Sequence, residues 1–141
     1  MKSFLVDVNV WIAISHDWHL HHERAVQWFE TLATEQACFC RLTQLGFLRL
    51  LTNRRAMSEL VLSQSKAWDV YDNLAEDPRV RYLPEPAGID DHFRRLTQGP
   101  HAATKVWSDA YLAAVAHATG LGLATMDRAF IAFPGVDAFI L

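Results

Sequence analysis

Apolar residues along this chain follow two rhythms. Short apolar runs at Phe4-Leu5-Val6, Ala37-Cys38-Phe39-Cys40, Val80-Arg81-Tyr82-Leu83 and Gly122-Leu123-Ala124-Thr125 have the length and residue types of strands. Ala138-Phe139-Ile140-Leu141 predicts a last strand at a sheet edge. Between these runs the apolar positions recur at helical spacing. Residues 10–14 predict a short helix, followed by a polar, aromatic loop from His16 to His22. A helix over 22–34 would bury Ala25, Val26, Phe29, Leu32 and Ala33. Thr43 is placed as the N-cap of a helix with Phe47, Leu48 and Leu51 on one face, ending in a basic loop over 52–55. Ser58 is placed to cap a longer helix burying Ala67, Trp68, Tyr71, Leu74 and Ala75, and Asp77-Pro78 stops it. Ile89, Phe93 and Leu96 mark the next helix, and 106–119 another, with Gly120 as its left-handed terminator. Strands that alternate with helices predict an α/β fold: a parallel sheet of four to five strands covered on both faces.

The chain has 141 residues, which suits one domain over 1–141 with a real core. No repeat, low-complexity tract or linker interrupts it, and no apolar run approaches membrane-spanning length. A net charge of −3 does not advertise nucleic-acid binding, although a local basic patch is compatible with it. Cys38 and Cys40 are too close along a strand to pair easily, which fits a reducing cytoplasm.

The candidate chemistry is acidic. Asp7 follows the first apolar run, and Asp127 follows Gly122–Thr125 in the same way. Ligands of open α/β sheets gather outside the carboxyl ends of strands, where both acids fall. Either acid alone is equally well a turn or N-cap residue. Asp109 lies three residues before Leu112 and seven before Ala116, on the stripe that should face the sheet. An inward carboxylate needs a cation or donors. Three acids from separate segments form a hard oxygen set suited to Mg²⁺ or Mn²⁺. Gln44 stands at the start of its own inward stripe, where spacing alone favours a structural amide. Asn9 and Thr125, each two residues from a proposed ligand, are candidates to orient the acids.

The chain resembles the PIN-domain ribonucleases, and among them the VapC-type toxins of bacterial toxin–antitoxin pairs. The resemblance runs nearly end to end. It rests on Leu5-Val6-Asp7-Val8-Asn9-Val10, His21-His22-Glu23-Arg24-Ala25, Thr43-Gln44-Leu45-Gly46-Phe47-Leu48-Arg49, Ser108-Asp109-Ala110-Tyr111-Leu112-Ala113-Ala114 and Thr125-Met126-Asp127-Arg128-Ala129-Phe130. It implies a three-layer α/β/α fold and a Mg²⁺- or Mn²⁺-dependent endoribonuclease that leaves a 5′-phosphate and a 3′-hydroxyl. Asp7, Asp109 and Asp127 match the family's acidic positions, and a protein antitoxin and a homodimer are the expected partners. The family usually has Glu where this chain has Gln44, which implies a weaker metal site in which Gln44 is a weak ligand or orients the acids. The alternative is a PIN-like module that binds RNA or antitoxin without cutting. A phosphoryl-accepting Asp7 fits less well, because the phosphatase pattern wants a second Asp where Asn9 stands.

Arg49, Arg54 and Arg55 are candidates to hold RNA phosphates, against the plainer reading of a solvated face. His16, His19, His21 and His22 fit no standard zinc spacing and read as loop residues. Trp11, Trp18 and Trp107 lie outside the clear apolar stripes, as candidates for a base stack or an interface.

Overall fold

The structure, a computed structural model, describes residues 2–141. Its centre is a five-stranded sheet in the order β3-β2-β1-β4-β5, all pairs parallel: β1 (Phe4–Val6), β2 (Ala37–Phe39), β3 (Val80–Tyr82), β4 (Gly122–Thr125) and β5 (Ala138–Ile140). Parallel strands require crossovers. The helices supply them: α1 (Val8–Ser15), α2 (His22–Phe29), α3 (Arg41–Leu51), α4 (Arg54–Met57), α5 (Gln64–Ala75), α6 (Ile89–Leu96) and α7 (Val106–Thr119).

Alternation along each strand divides the core into two layers. Phe4, Val6, Phe39 and Ala124 face one side and pack with Val10, Trp11, Phe29, Phe47, Leu51 and Tyr71 of α1, α2, α3 and α5. Leu5 and Leu123 face the other and pack with Ile89 of α6, Leu112, Val115 and Ala116 of α7, and Phe130. Trp11, left open by its spacing, is fully buried and lies flat on Phe39, ring centroids 4.0 Å apart. Among the described residues, no helix is long and apolar enough to cross a membrane.

Five local expectations are corrected. The α2 helix ends at Phe29 rather than running to residue 34, because Thr31 turns back to donate its hydroxyl to the Trp28 carbonyl (2.6 Å). Leu32 still reaches the core from the turn, so the apolar stripe outlasts the helix. Cys40, not Thr43, is the N-cap of α3; the Thr43 hydroxyl instead reaches back to accept the Cys40 N–H (2.9 Å). Residues 54 and 55 are not loop but the start of α4, capped by Asn53, which accepts the Arg55 N–H. Ser63, not Ser58, caps α5, and Trp68 on that helix is exposed.

Candidate active site

The sheet builds outward from β1 in both directions: to β2 and β3 on one side, to β4 and β5 on the other. The carboxyl ends of β1 and β4 therefore flank the point where strand order reverses, the usual ligand crevice of such sheets. Asp7 leaves β1 there. Its backbone N–H still donates to the Ala124 carbonyl of β4 (2.9 Å), and its side chain caps α1 by accepting the Val8 N–H (2.8 Å). Asp127 follows β4 and accepts the Ala129 N–H (2.9 Å) as cap of a short 3-10 turn, Arg128–Ala132. Asp109 arrives from the first turn of α7.

Thr125 ties two of these acids together. Its hydroxyl donates to Asp7 Oδ2 (2.7 Å) and accepts the Asp127 N–H (3.0 Å). The residue is fully buried, so this geometry is held by the surrounding core. The Asn9 side-chain oxygen accepts the Met126 N–H (3.3 Å) and pins the segment between Thr125 and Asp127 to α1. Thr125 thus touches both acids, whereas Asn9 acts on the backbone between them.

The three carboxylates sense one another. Burial raises the pKa of Asp7 above the ordinary 3.8, and the charges of Asp109 and Asp127 push it further; hydrogen bonds from Thr125 and Val8 pull the other way. Burial likewise raises Asp109, with Lys105 opposing and Asp127 adding to the rise. Asp127 is lowered, chiefly by its hydrogen bond from Lys105. Lys105 was not singled out in the sequence. Its ammonium contacts Asp127 directly and lies 3.5 Å from Asp109, so one cation bridges two of the acids. The available signal was its place four residues before Asp109, one helical turn away.

Gln44 is buried at the start of α3, but its side-chain oxygen is engaged by Arg41 Nη1 (2.5 Å). Arg49, Arg54 and Arg55 are exposed, and among the described residues none of them pairs with a site acid. In the histidine loop, His22 bonds the Ala13 carbonyl and His19 accepts the His21 N–H, which are loop-bracing roles.

The donor set is all oxygen, negatively charged and mutually repelling, which is the chemistry that favours a hard divalent ion. Among the described residues, no three His, Cys, Asp or Glu side chains are gathered tightly enough to form a ready-made cage. The bridging Lys105 supplies part of the positive charge that an ion would otherwise bring.

Comparison with known proteins agrees with this architecture. The PIN domain pattern matches residues 4–136. Ribonuclease VapC41 of Mycobacterium tuberculosis is 37% identical over 142 residues, covering 97% of each chain. Among solved structures, the crystal structure of VapBC2 from Rickettsia felis bound to a promoter DNA fragment superposes with a TM-score of 0.71 over 99% of both chains, at 10% identity. A toxin–antitoxin complex from Klebsiella pneumoniae superposes with a TM-score of 0.63 over 95% of both chains, at 18% identity. These low identities speak to the fold, whereas the family pattern and the full-length relative establish descent: this chain belongs to the PIN-domain family.

Proposed function

We propose that this protein is a toxin-type endoribonuclease that hydrolyses RNA phosphodiesters at the cluster of Asp7, Asp109 and Asp127. The observation that supports the reading is that Asp7 and Asp127 leave adjacent strands at the β1–β4 switch point, braced by Thr125, with Lys105 bridging Asp127 to Asp109. The full-length likeness to a protein named a ribonuclease supports the reaction class.

Asp7, Asp109 and Asp127 would hold Mg²⁺ or Mn²⁺. When bound, such an ion supplies an activated water and charge neutralisation at the scissile phosphate. The chain's own residues prepare for this. Thr125 and the α1 N-terminus fix the Asp7 carboxylate. Lys105 holds Asp109 and Asp127 facing one another and lowers the cost of gathering their charges. Released from them, its ammonium is placed to meet a phosphate oxygen. The engaged amide of Gln44 is better read as a positioner of Arg41 than as a ligand. A catalytically silent binding module is not favoured, because the full-length relative is named a ribonuclease.

The partners that go with this reading are RNA as substrate, a cognate antitoxin and a second copy of the chain, in the cytoplasm. The Klebsiella toxin–antitoxin complex supports the antitoxin. The reaction is tested by the ends of the products. Attack by water that expels the 3′-oxygen leaves a 5′-phosphate and a 3′-hydroxyl, so the 3′ fragment should accept no further phosphate from polynucleotide kinase until dephosphorylated. A 2′,3′-cyclic phosphate on the 5′ fragment would mean attack by the ribose instead and would overturn the mechanism.

A further inference from the structure

Helix α6 is held to the fold by few side chains. It has no side-chain N-cap, and Ile89 is its one buried residue. Asp90 and Arg94 pair with each other at its surface. What docks it on α7 is aromatic. Phe93 stands edge-on to Trp107 and Tyr111, and the His92 ring lies flat on His117, with centroids 4.1 Å apart and planes 18° apart. The His92 Nε2 is enclosed and, among the described residues, has no hydrogen-bond partner. His117 is exposed, and its Nδ1 lies 3.2 Å from the Gly135 carbonyl. A Cβ at position 135 would come within 3.0 Å of that nitrogen, so glycine is what lets the two segments close on each other.

We propose that the stacked His92–His117 pair is an acid-sensitive latch, which holds α6 on α7 while at most one ring is charged and releases it when both are. The rings lie face to face, so their in-plane lone pairs do not converge on one metal ion; the ligand that fits them is the proton. The first proton goes to His117, because an exposed imidazolium keeps its Nδ1–H on the Gly135 carbonyl. One imidazolium over a neutral ring is tolerated, as a cation over an aromatic face is. The second proton is the costly one. It puts an N–H in an enclosed place without an acceptor, beside a like charge. The surroundings give no relief. The charges that reach His92 are those of His117 and Arg95, both positive. On α6, Asp90 is paired with Arg94 and Asp91 is exposed to solvent. On α7 no acid follows Asp109, and Asp137, beyond Gly135, is paired with Lys2. Burial first, and then these charges, hold the His92 pKa below the ordinary 6.5. The stability of the docked helix is therefore full above 6.5 and is lost as pH falls through the lower folded value. Release also frees one end of the connection over 97–105, which leads to Lys105 beside Asp109 and Asp127.

The test is amide hydrogen exchange of the intact protein at about pH 7.5 and about pH 5, corrected for the intrinsic pH dependence of exchange, with imidazole nitrogen NMR following each histidine. In wild type, protection of α6 and of residues 97–105 should fall about tenfold or more on acidification, while the amides of β1 and β4 change less. His92→Phe keeps a ring on His117 but takes no proton, so α6 should stay protected at the acid value. His117→Phe, at an exposed position, removes the opposing charge. His92 should then titrate nearer 6.5, and the acid loss of protection should shrink. This second variant decides alone should His92→Phe fail to fold by circular dichroism. An equal acid loss of α6 protection in wild type and variant overturns the latch. So does the absence of that loss in wild type, or a His92 that titrates at or above 6.5. None of these readouts depends on RNA or metal, so the ribonuclease reading stands or falls separately.

Discussion

At the residue scale, Asp7 is where burial and charge conflict. Its carboxyl is held above the ordinary 3.8 first by burial and then by two neighbouring acids. Such a group binds its proton more tightly folded than unfolded. Its penalty on the fold is therefore absent below 3.8 and grows as pH rises through the raised folded value. Asp7→Asn keeps an acceptor for the Val8 N–H but loses the one that Thr125 uses, at a cost of about 1 kcal/mol. The difference in melting temperature, variant minus wild type, should accordingly move in the variant's favour between pH 3.5 and pH 7, roughly the window in which the penalty develops. A difference that stays flat across that range would mean that Asp7 is not strained by its neighbours. Lys105 gives the complementary case. Removing its charge in Lys105→Ala leaves Asp109 and Asp127 unpaired, so the metal-free protein should melt lower. Mn²⁺ should bind several-fold more tightly by calorimetry, because no ammonium competes for the same oxygens. Weaker Mn²⁺ binding in this variant would show that Lys105 assists the ion rather than standing in for it. The residues legible in the sequence were those tied to an element's end: Asp7, Asp109, Asp127 and Thr125. Lys105 was not, because its role depends on a carboxylate 22 positions away that only the fold brings near.

At the element scale, α1 must approach α3 closely for Asp7 and Asn9 to reach the crevice. Gly46 permits it. A Cβ there would come within 2.8 Å of Val8 Cγ2, and a valine has little freedom to move aside. Gly46→Ala gains helix propensity of about 1 kcal/mol but forces α1 outward, at about 1–3 kcal/mol. The variant should melt lower than wild type, and Val8→Ala in the same chain should restore much of the loss. Equal stability of Gly46→Ala and wild type in chemical denaturation would show that the helices have room to spare. Strands and long helices were readable because their burial is one-sided and periodic, and α7 and β4 begin and end where the pattern placed them. The misplacements cluster at caps and short connections. Ser58 and Ser63, or Cys40 and Thr43, compete locally for the same capping duty, and tertiary packing decides between them.

At the scale of the whole molecule, the site exists because of strand order. Asp7 and Asp127 are far apart in the chain, yet they leave adjacent strands at the reversal of the sheet. Alternating strands and helices implied a parallel sheet but not which strands are neighbours, so periodicity alone could not join the two acids; the family resemblance did. The same architecture separates catalysis from stability: the two apolar layers lie below the acids, so neutralising a site carboxylate should leave the core intact. The most direct measurement is the cleavage rate of a single-stranded RNA against Mn²⁺ concentration, for wild type and for Asp7→Asn with an unchanged circular dichroism spectrum. Loss of several kcal/mol of transition-state stabilisation predicts a fall of roughly a hundredfold or more in the variant. Wild-type cleavage should vanish in EDTA and return with added metal. Cleavage that persists in EDTA, or that Asp7→Asn carries out at the wild-type rate, would contradict a metal-assisted reaction at these acids.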